Sequence, residues 1–129
     1  MELPFGKQPT VLVVDDDDEV RTTFDRWLSA EGYAVRTAPN GEAALRDAAD
    51  ADAVIADLRM PVLDGMEFLR ALRSRGVLVP VAIITGDYLI DEAVVAEINR
   101  LQTRIVFKPL WLDELTLLTR DLIAGVGLA

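Results

Sequence analysis

Five short apolar runs alternate along this chain with segments of helical periodicity, and that alternation constrains the fold more than any other feature. The runs are Thr10–Val14, Tyr33–Thr37, Ala53–Ala56, Val79–Ile84 and Arg104–Phe107. The first, third and fourth are nearly continuous in Val, Ile, Leu and Ala, as strands covered on both faces must be. Tyr33–Thr37 is broken by Arg36 and Thr37, which suits an edge strand with one wetter face. Between the runs, Val20, Phe24, Trp27 and Leu28 fall on one helical face, and Gly32 follows as a stop. This spacing places Trp27 on or near the core. Asn40 is expected to cap a short helix holding Ala43, Ala44 and Ala48. Asp64–Gly65 opens a third helix with Met66, Leu69 and Leu72 inward, closing near Gly76. Ala93, Val94, Ile98 and Leu101 mark a fourth. Asp113 is expected to cap a fifth, with Leu115, Leu118 and Leu122 inward. Strand followed by helix, five times, predicts an α/β domain with a parallel sheet covered by helices on both faces. A chain of 129 residues is the size of one such domain. Residues 1–9 read as a flexible N-terminal arm, 10–124 as the domain and 125–129 as a C-terminal tail.

In a doubly wound parallel sheet, ligands bind outside the carboxyl ends of the strands. Strand one ends in Asp15–Asp16, followed by Asp17, Asp18 and Glu19. Strand three ends in Asp57, strand four in Thr85–Gly86, strand five in Lys108–Pro109. Three carboxylates, a hydroxyl and an ammonium are therefore expected on one edge. Clustered carboxylates resist full ionisation unless a cation compensates them. An all-oxygen set selects Mg²⁺, Mn²⁺ or Ca²⁺. A carboxylate is also a nucleophile toward phosphorus. The charge that develops on phosphoryl oxygens then needs a metal, a Lys and a hydroxyl or amide donor. Thr85, the Gly86 N–H and Lys108 supply that set.

Composition narrows the chemistry further. The chain has no His and no Cys, which removes Ser-His-Asp catalysis, His- or Cys-ligated metals, disulfides and a phosphohistidine on this chain. With 13 basic against 22 acidic residues, the net charge of -9 argues against direct nucleic-acid binding. No apolar run reaches the roughly 18 residues of a membrane span, and residues 1–9 lack a signal-peptide layout. A cytoplasmic domain is the expectation. Three rival readings fail on residues. A calcium EF-hand from Asp15 meets Val20 where Gly is needed and Arg26 where Glu is needed. A haloacid-dehalogenase-type phosphatase meets Glu19 where its D-x-D-x-T/V pattern wants Thr or Val. A flavin phosphate would be repelled by the Asp run that follows strand one.

The segments Val11–Asp18 (VLVVDDDD), Val54–Gly65 (VIADLRMPVLDG), Val81–Gly86 (VAIITG) and Phe107–Leu110 (FKPL) resemble the receiver domain of two-component response regulators. The resemblance covers about residues 10 to 124. Its specificity lies in the ordered set of acidic pair, D-x-x-M-P-x-x-D-G, T-G and K-P, spaced 41, 28 and 23 residues apart from Asp16 through Asp57 and Thr85 to Lys108. It implies the flavodoxin-like fold, a single-domain (βα)5 sheet in strand order 2-1-3-4-5. It implies that Asp57 accepts a phosphoryl group from a sensor histidine kinase or a histidine phosphotransfer protein. Asp15 and Asp16 would position Mg²⁺ (or Mn²⁺), completed by Asp57 and the Arg59 carbonyl. Lys108 would pair with phosphoryl oxygens, Thr85 would hydrogen-bond one of them, and the Lys108–Pro109 bond would be cis. Arg59 and Asp87, with Gly86 between Thr85 and Asp87, would tune phosphoryl lifetime, and an Arg59–Asp87 salt bridge is expected across the site entrance. Family members accelerate their own phosphorylation and hydrolysis yet act as switches, not metabolic enzymes.

The chain departs from the family pattern on its output side. Ile105 stands where receivers usually carry a Tyr or Phe. Phe107 shares its strand face by period two and is a candidate substitute. Leu101–Thr103 replaces the usual Gly-Ala-acidic stretch. Ile105, Phe107, Pro109 and Trp111 are therefore the candidate switch and output residues, with Trp111 open to either partner contact or core packing. Leu117 and Ile123 are candidates for a docking face formed by helix four, strand five and helix five. That face would serve a downstream protein, a fused output domain or a homodimer. A phosphorylation-independent binding module is the alternative function.

Overall fold

A computed structural model describes residues 8–125, so most of the N-terminal arm and residues 126–129 of the tail lie outside it. Five strands form one parallel sheet in the order β2-β1-β3-β4-β5. They are β1 (Thr10–Val14), β2 (Ala34–Ala38), β3 (Ala53–Asp57), β4 (Val81–Thr85) and β5 (Arg104–Phe107). The helices between and after them are α1 (Asp18–Ala30), α2 (Gly41–Asp47), α3 (Gly65–Ser74), α4 (Glu92–Arg100) and α5 (Leu112–Ala124). This is the flavodoxin-like doubly wound arrangement read from the alternation.

The two faces follow from strand alternation. Val11, Val13, Ile55, Ala82 and Ile84 point toward α1 and α5, where Leu28, Leu115, Leu118 and Leu122 close the core. Leu12, Val14, Val54, Val81 and Ile83 point the other way, onto Ala44, Phe68, Leu69, Leu72 and Ile98. β1, β3 and β4 are buried on both faces, which is why their sequences carry no polar alternation. β2 and β5 are the edges, and Arg36, Thr37 and Phe107 are exposed there.

Hydrogen bonding moves several element boundaries from those the apolar runs suggest. β2 begins at Ala34, not Tyr33, because the Tyr33 N–H bonds to the Leu28 carbonyl and closes α1. That closure needs the positive φ of 100° at Gly32. β4 begins at Val81, not Val79: the Val79 carbonyl accepts from Arg73, and Pro80 has no N–H to give. β4 instead runs on to Thr85, and β3 runs on to Asp57. The fifth helix is capped at Trp111, two residues before Asp113; the Glu114 carboxylate accepts the Trp111 N–H at 3.3 Å. Asp113 lies in the first turn. Leu101 is the C-cap of α4 rather than part of it. Asn40 and Asp64 cap α2 and α3 as expected, and Asp64 forms a reciprocal capping box with Glu67. Pro9 is buried, and its carbonyl accepts the Ala34 N–H at 2.9 Å. Among the described residues no helix is long and apolar enough to cross a membrane.

Candidate functional site

The acidic run after β1 divides by role. Asp17 caps α1, accepting from Glu19 N–H at 2.8 Å and Val20 N–H at 3.4 Å. Asp18 and Glu19 lie in the first helical turn, where the helix dipole favours negative charge. Asp15 and Asp16 are left to face the sheet edge. There the register of β1 with β3 brings them beside Asp57. One carboxylate oxygen from each of Asp15, Asp16 and Asp57 lies within 4.8 Å of the others. Asp15 is buried, Asp57 half-buried and Asp16 exposed.

Each member is held by its surroundings. The Asp15 backbone N–H donates to the Ala38 carbonyl, and its own carbonyl accepts from the Arg21 guanidinium at 2.6 Å. The Asp15 Oδ1 accepts the Asp17 N–H at 2.9 Å. Lys108 Nζ reaches the Asp57 Oδ2 at 3.1 Å, while the Arg59 N–H approaches Oδ1 at 3.5 Å. Lys108 is fixed in turn by its N–H, which donates to the Thr85 carbonyl at 2.8 Å, and the Lys108–Pro109 peptide is cis. Thr85 is buried, and its Oγ1 accepts the Asp87 N–H at 3.0 Å. The Arg59–Asp87 ion pair is present at 2.7 Å. That guanidinium, with a further bond from the Leu89 N–H, holds the Asp87 carboxyl below its ordinary range. Gly86 packs near the aliphatic stem of Lys108.

Asp15 is displaced the other way. Burial pushes its carboxyl above the ordinary value of 3.8, reinforced by the charges of Asp57 and Asp16 and opposed by the Asp17 N–H and Lys108. A carboxyl raised on folding favours the native state at low pH, and that contribution is lost as pH rises from 3.8 through the folded value. Asp15→Asn keeps the acceptor for the Asp17 N–H and removes the charge. In EDTA the substitution is expected to stabilise the chain by on the order of 1 kcal/mol at pH 7. The gain should shrink toward zero at pH 4, followed by urea unfolding at both pH values. A loss of stability at pH 7 would show that Asp15 is not strained by its neighbours.

The output candidates are distributed more widely. Ile105 is half-buried against the cluster under α4, and Phe107, on the same strand face, is 42% exposed. Pro109 follows the lysine in the loop to α5. Trp111 and Leu117 are exposed, whereas Ile123 is half-buried against the α1–α5 core. Trp27 packs on that same core and donates through Nε1 to Thr116 Oγ1 at 2.8 Å. Tyr88 escapes the sequence reading. Its ring stacks on Phe107 with centroids 5.5 Å apart and planes 16° from parallel, and its hydroxyl donates to the Lys108 carbonyl. The one available signal was an aromatic residue three positions after Thr85.

The donor set suits a hard divalent cation: three carboxylates, no nitrogen or sulfur ligand, one neighbouring ammonium. A nucleophilic carboxylate flanked by a fixed ammonium and a buried hydroxyl is equipped to receive an electrophilic, negatively charged group.

Residues 11–120 match the family model described as the response regulator receiver domain. The chain is 38% identical over 121 residues to the transcriptional regulatory protein PrrA of Mycobacterium tuberculosis, covering 92% of this chain and 52% of PrrA. It is 40% identical over 115 residues to the response regulator MprA of Mycolicibacterium vanbaalenii, covering 88% of this chain and 49% of MprA. It thus spans about half the length of these curated relatives. Among solved structures, the Francisella response regulator 1452 receiver domain superposes with a TM-score of 0.80 at 27% identity, covering 92% of this chain and 98% of that one. Vibrio cholerae chemotaxis protein CheY4 superposes with a TM-score of 0.79 at 28% identity, covering 90% and 99%.

Proposed function

This chain belongs to the receiver-domain family of response regulators, and on that premise we propose that it is a phosphorylation-dependent switch whose acceptor is Asp57. The observation that carries the proposal is the setting of that one side chain. Asp57 shares a 4.8 Å cluster with Asp15 and Asp16 while Lys108 Nζ holds its Oδ2 at 3.1 Å. A carboxylate oxygen of Asp57 attacks phosphorus. The new O–P bond forms as the P–N bond to a phosphohistidine breaks, and the electron pair leaves with the imidazole. Lys108 stays against the reacting oxygens, and Thr85 and the Gly86 N–H donate to the transferred group. No acid or base on this chain is required, consistent with the absence of His.

Asp15, Asp16, Asp57 and the Arg59 carbonyl would hold Mg²⁺ or Mn²⁺. The bound cation compensates the clustered carboxylates and the phosphoryl charge. Arg59, Gly86 and Asp87, at the entrance, set how long the aspartyl-phosphate survives water. The donor is a sensor histidine kinase or a histidine phosphotransfer protein in the cytoplasm. The readers are a downstream protein, a fused output domain or a second copy at the α4–β5–α5 face; neither nucleic acid nor membrane is contacted directly. The chain speeds its own phosphorylation and hydrolysis without being a metabolic enzyme.

Intact-protein mass after incubation with phosphoramidate or acetyl phosphate and Mg²⁺ tests this. Wild type is expected to gain one phosphoryl group, EDTA to prevent it, and Asp57→Asn to show none. A gain that persists in Asp57→Asn would place the acceptor elsewhere. No gain with either donor would leave the phosphorylation-independent binding module as the better reading.

A further inference from the structure

The loop between β4 and α4, residues 86–91, is tied down on both flanks of Asp57. On one flank the Asp87 carboxylate takes the Arg59 guanidinium at 2.7 Å, and Arg59 also directs its N–H at the Asp57 Oδ1. On the other, the next residue, Tyr88, lays its ring on Phe107 and donates its hydroxyl to the carbonyl of Lys108, whose ammonium holds the Asp57 Oδ2. Between them the Asp87 N–H occupies the hydroxyl oxygen of buried Thr85. These ties end on Arg59 and Lys108, which touch Asp57, and on Thr85 and Phe107 at the ends of β4 and β5.

Phosphorylation replaces the single negative charge of the Asp57 carboxylate with close to two, carried further out on the phosphoryl oxygens. Those charges compete with the Asp87 carboxylate for Arg59 and repel Asp87 itself. Displacing Asp87 moves its chain neighbour. The Tyr88 contact is suited to give way, because it is one ring pair and one hydrogen bond at a 64% exposed side chain. Ile105 is less suited to move: it is branched at Cβ, stiff in χ1 and packed against the α4 side of the core.

Resting on the reading of Asp57 as acceptor, we propose that Tyr88 is a clasp: it holds Phe107 and the Lys108 carbonyl while Asp57 is free, and it lets go when Asp57 is phosphorylated. Release uncovers more of the Phe107 ring, already 42% exposed, so charge at the strand edge becomes a change of apolar surface at β5.

The chain has two tyrosines, and the other, Tyr33, is buried in the core 4% exposed, which provides an internal control. Protein labelled with 3-fluorotyrosine is observed by ¹⁹F NMR before and after phosphoramidate and Mg²⁺, with Tyr88→Phe assigning the resonances and intact mass read on the same sample. The Tyr88 resonance is expected to move toward its position in the urea-unfolded chain as the phosphoryl mass appears, while Tyr33 stays put. Asp57→Asn should show no movement. A full phosphoryl gain with an unmoved Tyr88 resonance would overturn the clasp and leave the acceptor standing. No mass gain would overturn the acceptor and the clasp together.

Discussion

Gly65→Ala is expected to cost about 3 kcal/mol, lowering the melting temperature by about 10 °C, although it adds one methyl group at the start of a helix where Ala is otherwise favoured. A Cβ at Gly65 would sit 2.6 Å from the Asp57 carbonyl oxygen and 2.9 Å from the Leu58 Cα. Both are backbone atoms, so no rotamer change relieves the overlap. The first turn of α3 must instead back away from the end of β3, stretching the Gly65 N–H bond to the Leu58 carbonyl, now 2.9 Å. That strand end carries Asp57, so the variant is also expected to phosphorylate more slowly at temperatures where it remains folded. Gly76→Ala is the comparison: nothing lies within 4 Å of its Cβ, but its φ is 76°. It should lose only about 1 kcal/mol, the cost of a left-handed Ala. Equal losses in the two variants, measured by thermal unfolding, would show that close approach at Gly65 is not what seats the helix.

The D-G of the second motif therefore has a packing reason, and it is legible in sequence only as a turn. The same division runs through the molecule. Strands buried on both faces announced themselves because all but one end residue in each is apolar. Their ends did not, because the ends are set by hydrogen bonds: Tyr33 gives its N–H to α1, and Val79 gives its carbonyl to Arg73. Asp113 looked like a cap, but Glu114 accepts the Trp111 N–H and the helix begins earlier.

At the candidate site the carboxylates, Thr85 and Lys108 were readable because strand ends in a parallel sheet share one edge. The Arg59–Asp87 pair was expected from the resemblance to receiver domains, in which the positions two beyond the acceptor and two beyond the Thr stand at the site entrance. Tyr88 was not, since its hydroxyl partner is a backbone carbonyl 20 positions away. A carbonyl has no side-chain identity, so contacts made to it leave no pattern.

Arg73 is the strongest case of that kind, and Arg73→Met is expected to destabilise the chain by about 3 kcal/mol. Its guanidinium is half-buried, and carbonyls rather than a carboxylate accept its protons. Nε donates to the Leu101 carbonyl at 2.9 Å, and Nη1 donates to the Val77 and Val79 carbonyls, each at 2.9 Å. Nη2 reaches the Thr103 hydroxyl at 3.3 Å. One side chain on α3 thus satisfies the turn into β4, the end of α4 and the approach to β5. Burial holds its pKa below the usual guanidinium value, yet the group stays charged throughout the working pH range. Met preserves most of the aliphatic volume and none of the donors, so the lost free energy is chiefly that of the Val77 and Val79 carbonyls, whereas the Leu101 carbonyl keeps the Thr103 hydroxyl at 3.1 Å. Arg73→Lys should recover less than half, because a compact ammonium cannot span acceptors arranged for a planar fork. Exposed Arg75, two residues on, gives the reference: Arg75→Met should stay within about 0.5 kcal/mol of wild type in urea unfolding. If Arg73→Met fell in that range as well, water would be serving those carbonyls as well as the guanidinium does. The junction of α3, α4 and β5 would then be held by its apolar contacts alone.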